Sequence, residues 1–197
     1  MNSHLPLPPM KPTTLACLLV LTAACTNKPM PHAGPVAGGH PPAVEIDGAQ
    51  SVAQSFYTEL RRDEICGLPD TAQMKRLAPY FTPGIVSALQ RASAEQAEFM
   101  RKHPDEKPPW IEGDLFSSLF EGVEKWQLGS ATVKGSTAEV PVQLSYRGDS
   151  NETARWTDTL ILSHTPSGWR VADIRMGGEW AFKAGGNTLS DTLSANP

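Results

Sequence analysis

Cys25 is the residue whose chemistry its neighbours define best. It follows the run Leu15–Ala24 (LACLLVLTAA), with Lys11 ahead of it, so its thiol is placed to accept a diacylglyceryl group. Two aspartates come next. Asp158 and Asp173 fall within predicted strands, with Arg147, Arg170 and Arg175 close in sequence. A carboxylate desolvated in an apolar pocket has a raised pKa and can move a proton. The competing reading is that each aspartate pairs with an arginine or caps a strand end, Asp173 in WRVADI holding the next loop. Cys66 with His103 or His164 is a third combination, but no spacing favours a thiol dyad over a buried, inert cysteine.

The segment before Cys25 has the parts of an export signal. Met10-Lys11 supplies a charged start, and roughly ten apolar residues are too few to cross about 30 Å of hydrocarbon. Ala23 and Ala24 fit a narrow peptidase pocket. The pattern resembles the bacterial lipobox, except that Thr22 stands where leucine is usual and the leucine is one place further out, at Leu21. The Pro-rich MNSHLPLPP is unlike a signal start, which points to translation from Met10. An ordinary cleaved secretory signal and acylation at Cys17 are the other readings. Lipoproteins of this kind are held in the inner membrane by Asp after the cysteine; Thr26 therefore predicts the outer membrane, periplasmic face. Three acyl chains would anchor the chain almost permanently.

Residues 1–24 carry Lys11 as their one formal charge, so their removal takes the net charge from -4 to -5. There is no basic run to meet nucleic acid. With Cys17 removed and Cys25 acylated, Cys66 is the remaining thiol and an internal disulfide is excluded. From Thr26 to Val44 the chain is dense in Pro and Gly, a predicted extended tether of up to roughly 60 Å. His32 and His40 on it lack a carboxylate or thiolate neighbour and make a poor metal site. The organisation read from the sequence is signal 1–24, acylated cysteine and tether 25–44, and one domain over 45–197.

The domain begins with helices and ends with strands. Ala49, Val52, Ala53, Phe56, Tyr57 and Leu60 recur at helical spacing, with a stop expected near Cys66-Gly67. A short helix is predicted from Thr71 to Pro79, and a longer one opens at Thr82-Pro83 and runs to Lys102. A Pro-rich loop carries Trp110 and Asp114, and LFSSLFEG should pack as a single turn under the sheet. Period two then takes over. Trp126–Lys134, Thr137–Arg147, Ala154–His164 and Trp169–Met176 read as four antiparallel strands, with Pro141 marking an edge or a bulge. NTLSDTL adds a last short helix or a docking turn. The fold class is α+β: N-terminal helices on a bent four-stranded antiparallel sheet.

The order of elements, together with LAPYFTPGIVSAL, GDLF, the tryptophan-bearing strands, WRVADI and NTLSDTL, resembles a family of exported bacterial proteins typified by the lipoprotein YbjP. The resemblance covers roughly residues 50–195. It implies the cone of the nuclear transport factor two, ketosteroid isomerase and cystatin-like folds, and it carries no activity to transfer. Such a cone would hold a pocket, for which Tyr57, Trp110, Tyr146, Asp158 and Asp173 are the candidate lining residues. G-x-S-x-G, H-E-x-x-H, Walker and paired-cysteine patterns are absent from the sequence, and no cofactor is predicted. The expectation is a membrane-anchored periplasmic lipoprotein with a non-enzymatic domain that binds an envelope protein or a small apolar ligand. The alternatives are a periplasmic immunity or inhibitor protein with an acidic body, and an isomerase-type enzyme using the cone.

Overall fold

A computed structural model describes residues 43–149, 152–180 and 188–194. The readings made for Cys25, Thr26, Met10 and the two tether histidines lie outside these residues. The element order is α1 (Ala43–Leu60), α2 (Thr71–Leu77), a 3-10 turn (Ala78–Tyr80), α3 (Pro83–Lys102), β1 (Lys125–Leu128), β2 (Thr132–Lys134), β3 (Thr137–Tyr146), β4 (Ala154–Thr165), β5 (Gly168–Arg175) and α4 (Leu189–Ser194). The domain is α+β, with helices followed by an open antiparallel sheet.

α1 buries Ala49, Ala53, Phe56, Tyr57 and Leu60, the face its spacing predicts. It departs from expectation at both ends. Ala43 and Val44, assigned to the extended tether, are helical, with Glu45 in the first turn opposing the helix dipole. At the other end the helix stops at Leu60, short of Cys66-Gly67, and the chain turns. Gly67 is then used for its left-handed backbone (φ 74): its N–H bonds Gly113 O at 2.7 Å, and a Cβ there would lie 2.3 Å from Trp110 O. α2 opens with a reciprocal capping box between Asp70 and Gln73. α3 starts at Pro83 as predicted, although Thr82 makes no side-chain cap and instead donates its N–H to Val171 O at 2.9 Å.

The sheet order is β1-β3-β4-β5, with β2 also paired to β3. The predicted strand Trp126–Lys134 is thus two strands, and the sheet has five. The break falls at Gly129–Ala131 opposite Pro141, and Gly129 N donates to Pro141 O at 2.8 Å. In an antiparallel strand a residue's N–H and C=O point to the same side, so the donor that proline lacks faces this break and the β3–β4 ladder stays whole. Pro141 therefore sits on an interior strand beside this break, so of the two expected placements, an edge or a bulge, the edge is excluded. Gln50 of α1 spans the break, donating to Gly129 O at 3.0 Å and accepting from Ala131 N at 2.9 Å. A bulge between β4 and β5, where Ile161 meets Asp173 but Leu162 meets Val171, leaves Ala172 as the extra residue.

Alternation puts Val140, Val142, Leu144, Leu160, Leu162 and Ile174 on the inner face against α1 and α3. LFSSLFEG forms turns that bury Phe116 and Leu119 in the same core. The outer edge of β5 is bridged at Val171, mid-strand, by Phe81 and at Arg175, its last residue, by Thr188. No strand pairs with the outer edge of β1 among the described residues.

Candidate functional site

Where α1 ends, the 61–66 segment that follows it, the 112–124 loop, β1 and the end of β3 line a cleft of about 610 Å³. Ile65, Val123, Trp126 and Tyr146 make an apolar floor, and Phe120, 43% exposed, stands at its rim. Carboxylates are concentrated around it: Asp63, Glu64, Glu112, Asp114, Glu121 and Glu124, against the one cation Arg61. Three of the acids have cationic partners, Asp63 with Arg76, Glu112 with Lys107 and Asp114 with Arg61. Glu124 accepts the backbone N–H groups of Arg147 (3.2 Å) and Gly148 (2.8 Å). No Lys or Arg pairs with Glu64, Glu121 or Glu124 among the described residues. A second depression of about 480 Å³ shares Glu121 and Tyr146 with the first and adds Asp149 and Glu152.

Under this cleft lies a buried polar cluster. Arg61 bonds Asp114, whose other oxygen accepts Phe116 N at 2.8 Å, so the end of α1 is tied to the loop that forms the cleft wall. The guanidinium carbon is 5.6 Å from the centre of the Tyr57 ring, and the Tyr57 ring lies 5.2 Å from that of Trp126. Tyr57 is fully buried, and its hydroxyl, although near enough to Arg61 to feel its charge, has no hydrogen bond of acceptable geometry. Burial pushes its pKa well above the ordinary tyrosine range, an effect that nearby Arg61 only partly offsets. Burial opposes the charge on Arg61 too, but Asp114 and Tyr57 together offset it and the guanidinium is held above its usual value.

Asp158, on the inner face of β4, is completely buried. Four donors converge on it: Ser118 N (2.9 Å), Trp156 Nε1 (3.1 Å), Gly177 N (2.8 Å) and the Ser118 hydroxyl. Its partners are thus neutral N–H and O–H groups, so of the two partnerings read from the sequence, an arginine or a strand-end cap, the arginine is excluded. Ser118 Oγ in turn accepts Gly178 N at 2.9 Å. Asp158 therefore fixes the 116–119 turn to the end of β5. Asp173 Oδ1 accepts its neighbour Ile174 N at 2.8 Å and Ser190 N at 3.1 Å, which docks the first turn of α4 on the sheet.

The five candidate pocket residues do not form one site. Tyr146 lines the cleft, Tyr57 lies beneath it, and Asp158 and Asp173 serve separate structural bonds. Trp110, a candidate lining residue, does not line the cleft: it is half-buried with a left-handed backbone (φ 48), and its Nε1 donates to Thr192 O of α4 at 3.3 Å. Cys66 corrects another expectation: it is exposed on the cleft wall, because α1 has ended before it and no core face remains to cover it. Arg61, Phe120, Glu64, Glu121 and Trp126 were not singled out as site residues. The available signal was Arg61 lying four residues after Tyr57, one turn along the same face.

Among the described residues no group of three His, Cys, Asp or Glu side chains is placed to hold a metal ion, and no helix is long and apolar enough to cross a membrane. Comparison of the chain with protein-family models, with curated proteins and with solved structures finds no match.

Proposed function

We propose that this is a lipid-anchored envelope protein whose domain holds a partner in the cleft beside β1 and performs no chemistry on it. Acylation at Cys25 attaches it to the periplasmic face of the outer membrane, as Thr26 implies. The sheet curving over α1 and α3 is the open half of a cone of the nuclear transport factor two type. One observation carries the binding reading: the cleft leaves an aromatic and aliphatic floor with Phe120 exposed at its margin (43%), whereas the buried carboxylate Asp158 has its acceptor positions filled by neutral donors. The tether joins α1 at Ala43, and Arg61 follows the far end of that 18-residue helix, about 27 Å away.

A photo-crosslinking side chain placed at Phe120 in the full lipidated protein tests the reading in intact envelopes. The expected result is a discrete adduct from position 120 that is absent from position 139, on the exposed outer face of β3. Equal labelling from both positions, or none from 120, overturns it. For the anchor, Cys25→Ala should abolish acyl labelling and release the chain from the membrane fraction; unchanged fractionation would refute attachment there.

A further inference from the structure

The occupant of the cleft can be specified by chemistry, on the premise that the cleft is the binding site. The alternation of the β1–β3 ladder settles where the backbone of β1 points. Gly129 N bonds Pro141 O, and β1 pairs in register with Gln127 opposite Gln143 and Lys125 opposite Ser145. Residues two apart along a strand face the same neighbour, so Gln127 and Lys125 turn their N–H and C=O groups to β3, and Trp126 and Leu128 turn theirs to the open edge. Glu124 N also bonds Ser145 O, which makes the start of β1 a bulge and brings the Glu124 carboxylate to the cleft.

The two edges of the sheet are treated differently. Chain segments bridge β5 at Val171 and at Arg175, and Gln50 patches the gap between β1 and β2, but the edge at Trp126 and Leu128 has no main-chain partner among the described residues. Trp126, at one end of that edge, lines the cleft, and Leu128 lies beyond it. Side chains alternate across a strand, so Trp126 faces the cleft while Lys125, which would repel another cation, points to the opposite face and does not line it. Among the described residues, Glu64, Glu121 and Glu124 have no cationic partner around the same floor.

We propose that an extended basic segment of a partner protein adds as a strand to the outer edge of β1, with an apolar side chain on the floor between Val123, Trp126 and Tyr146 and its lysines or arginines toward Glu64, Glu121 and Glu124. Main-chain bonds to Trp126 and Leu128 give this segment its direction and register, and the three carboxylates select its charge. A strand of four residues limits main-chain pairing to a short stretch, so the charges contribute a large share of the binding and the complex is salt-sensitive.

The test uses the full chain in detergent and a fluorescent nonapeptide of alternating lysine and leucine. The peptide should bind, weaken at least about tenfold between roughly 0.05 and 0.5 M salt, and weaken similarly with Glu64→Lys plus Glu121→Lys, whose exposed positions leave the melting temperature unchanged. N-methylation of alternate peptide nitrogens should abolish binding. The proposal is overturned if the glutamate–leucine counterpart binds as well, if N-methylation has no effect, or if the cleft is filled by a second copy, seen as a concentration-dependent dimer that Phe120→Asp dissolves. Displacement of the peptide by neutral lipid vesicles would likewise overturn it in favour of a lipid surface. If Phe120 crosslinks a partner while the basic peptide fails to bind, the occupant is wrong and the cleft stands; if both fail, the cleft reading falls with it.

Discussion

Arg61 and Asp114, 53 residues apart, are an ion pair shielded from water, with side-chain exposures of 16% and 5%, and the pair joins the end of the first helix to the wall of the cleft. Screening by solvent is weak for such a pair, and losing one member leaves the other charged and buried. Arg61→Met should therefore cost about 3 kcal/mol in urea denaturation, and Asp114→Asn a similar amount. Combining Arg61→Met with Asp114→Leu should recover part of the loss, because no orphan charge remains. If the single variants lose less than about 1 kcal/mol, the pair behaves as an exposed salt bridge and does not hold the wall.

Tyr57 should give the protein a distinct alkaline limit. Burial raises its folded pKa above the unfolded value of about 10, so the folded state keeps a proton that the unfolded state releases. Its contribution is fully present below about pH 10 and is lost as pH rises toward the folded pKa. Tyr57→Phe removes both this term and a buried hydroxyl without a hydrogen bond, so stability at neutral pH should stay level or rise by up to about 1 kcal/mol. Denaturation midpoints from pH 8 to 11.5 would decide: the variant should fall less steeply above pH 10. Parallel curves would mean that the hydroxyl ionises without consequence for folding.

Periodicity was sufficient for the inner faces of α1, α3 and the long strands, because burial repeats every 3.6 or two residues and needs no partner to be known. It failed where a tertiary bond decides. Trp126–Lys134 reads as one strand, yet the break at Gly129–Ala131 exists because Gln50, some 80 residues earlier, supplies the missing bonds. Pro141 signalled an irregularity, but the irregularity is on the neighbouring strand. Asp158 was legible as an inward carboxylate and not as a loop anchor, since its donors come from Ser118, Trp156 and Gly177, which no local pattern brings together. The cleft was illegible for the same reason. Its residues come from three stretches of chain, and an exposed Phe120 looks like any other apolar residue in LFSSLFEG.

Replacing Asp158 should be among the most damaging single changes. Asp158→Asn keeps the volume but puts an NH₂ group where one oxygen accepts two donors, leaving backbone N–H groups of the 116–119 turn or of Gly177 facing a donor. A loss on the order of 3 kcal/mol is expected. Trp156 reports on the same node, because its ring packs edge-on against Trp180 with centroids 5.1 Å apart, and its indole N–H reaches Asp158. Near-ultraviolet dichroism should therefore change together with stability. A variant with native dichroism and native stability would show that the carboxylate is dispensable to the fold, and would reopen a chemical role for it.

Cys66 follows a turn outside α1 and has one weak contact, its Sγ 3.8 Å from Ile111 O. An exposed thiol with so little packing should be nearly as reactive in the folded protein as in the unfolded one. A maleimide probe should thus label Cys66 without denaturant, and Cys66→Ser should change stability by less than about 0.5 kcal/mol. Because Cys66 shares the cleft wall with Glu64, the lysine–leucine peptide should slow this labelling, while the glutamate–leucine peptide should leave it unchanged. Labelling that requires unfolding would contradict the exposed placement. Equal protection by both peptides would show contact at the cleft without selection by charge.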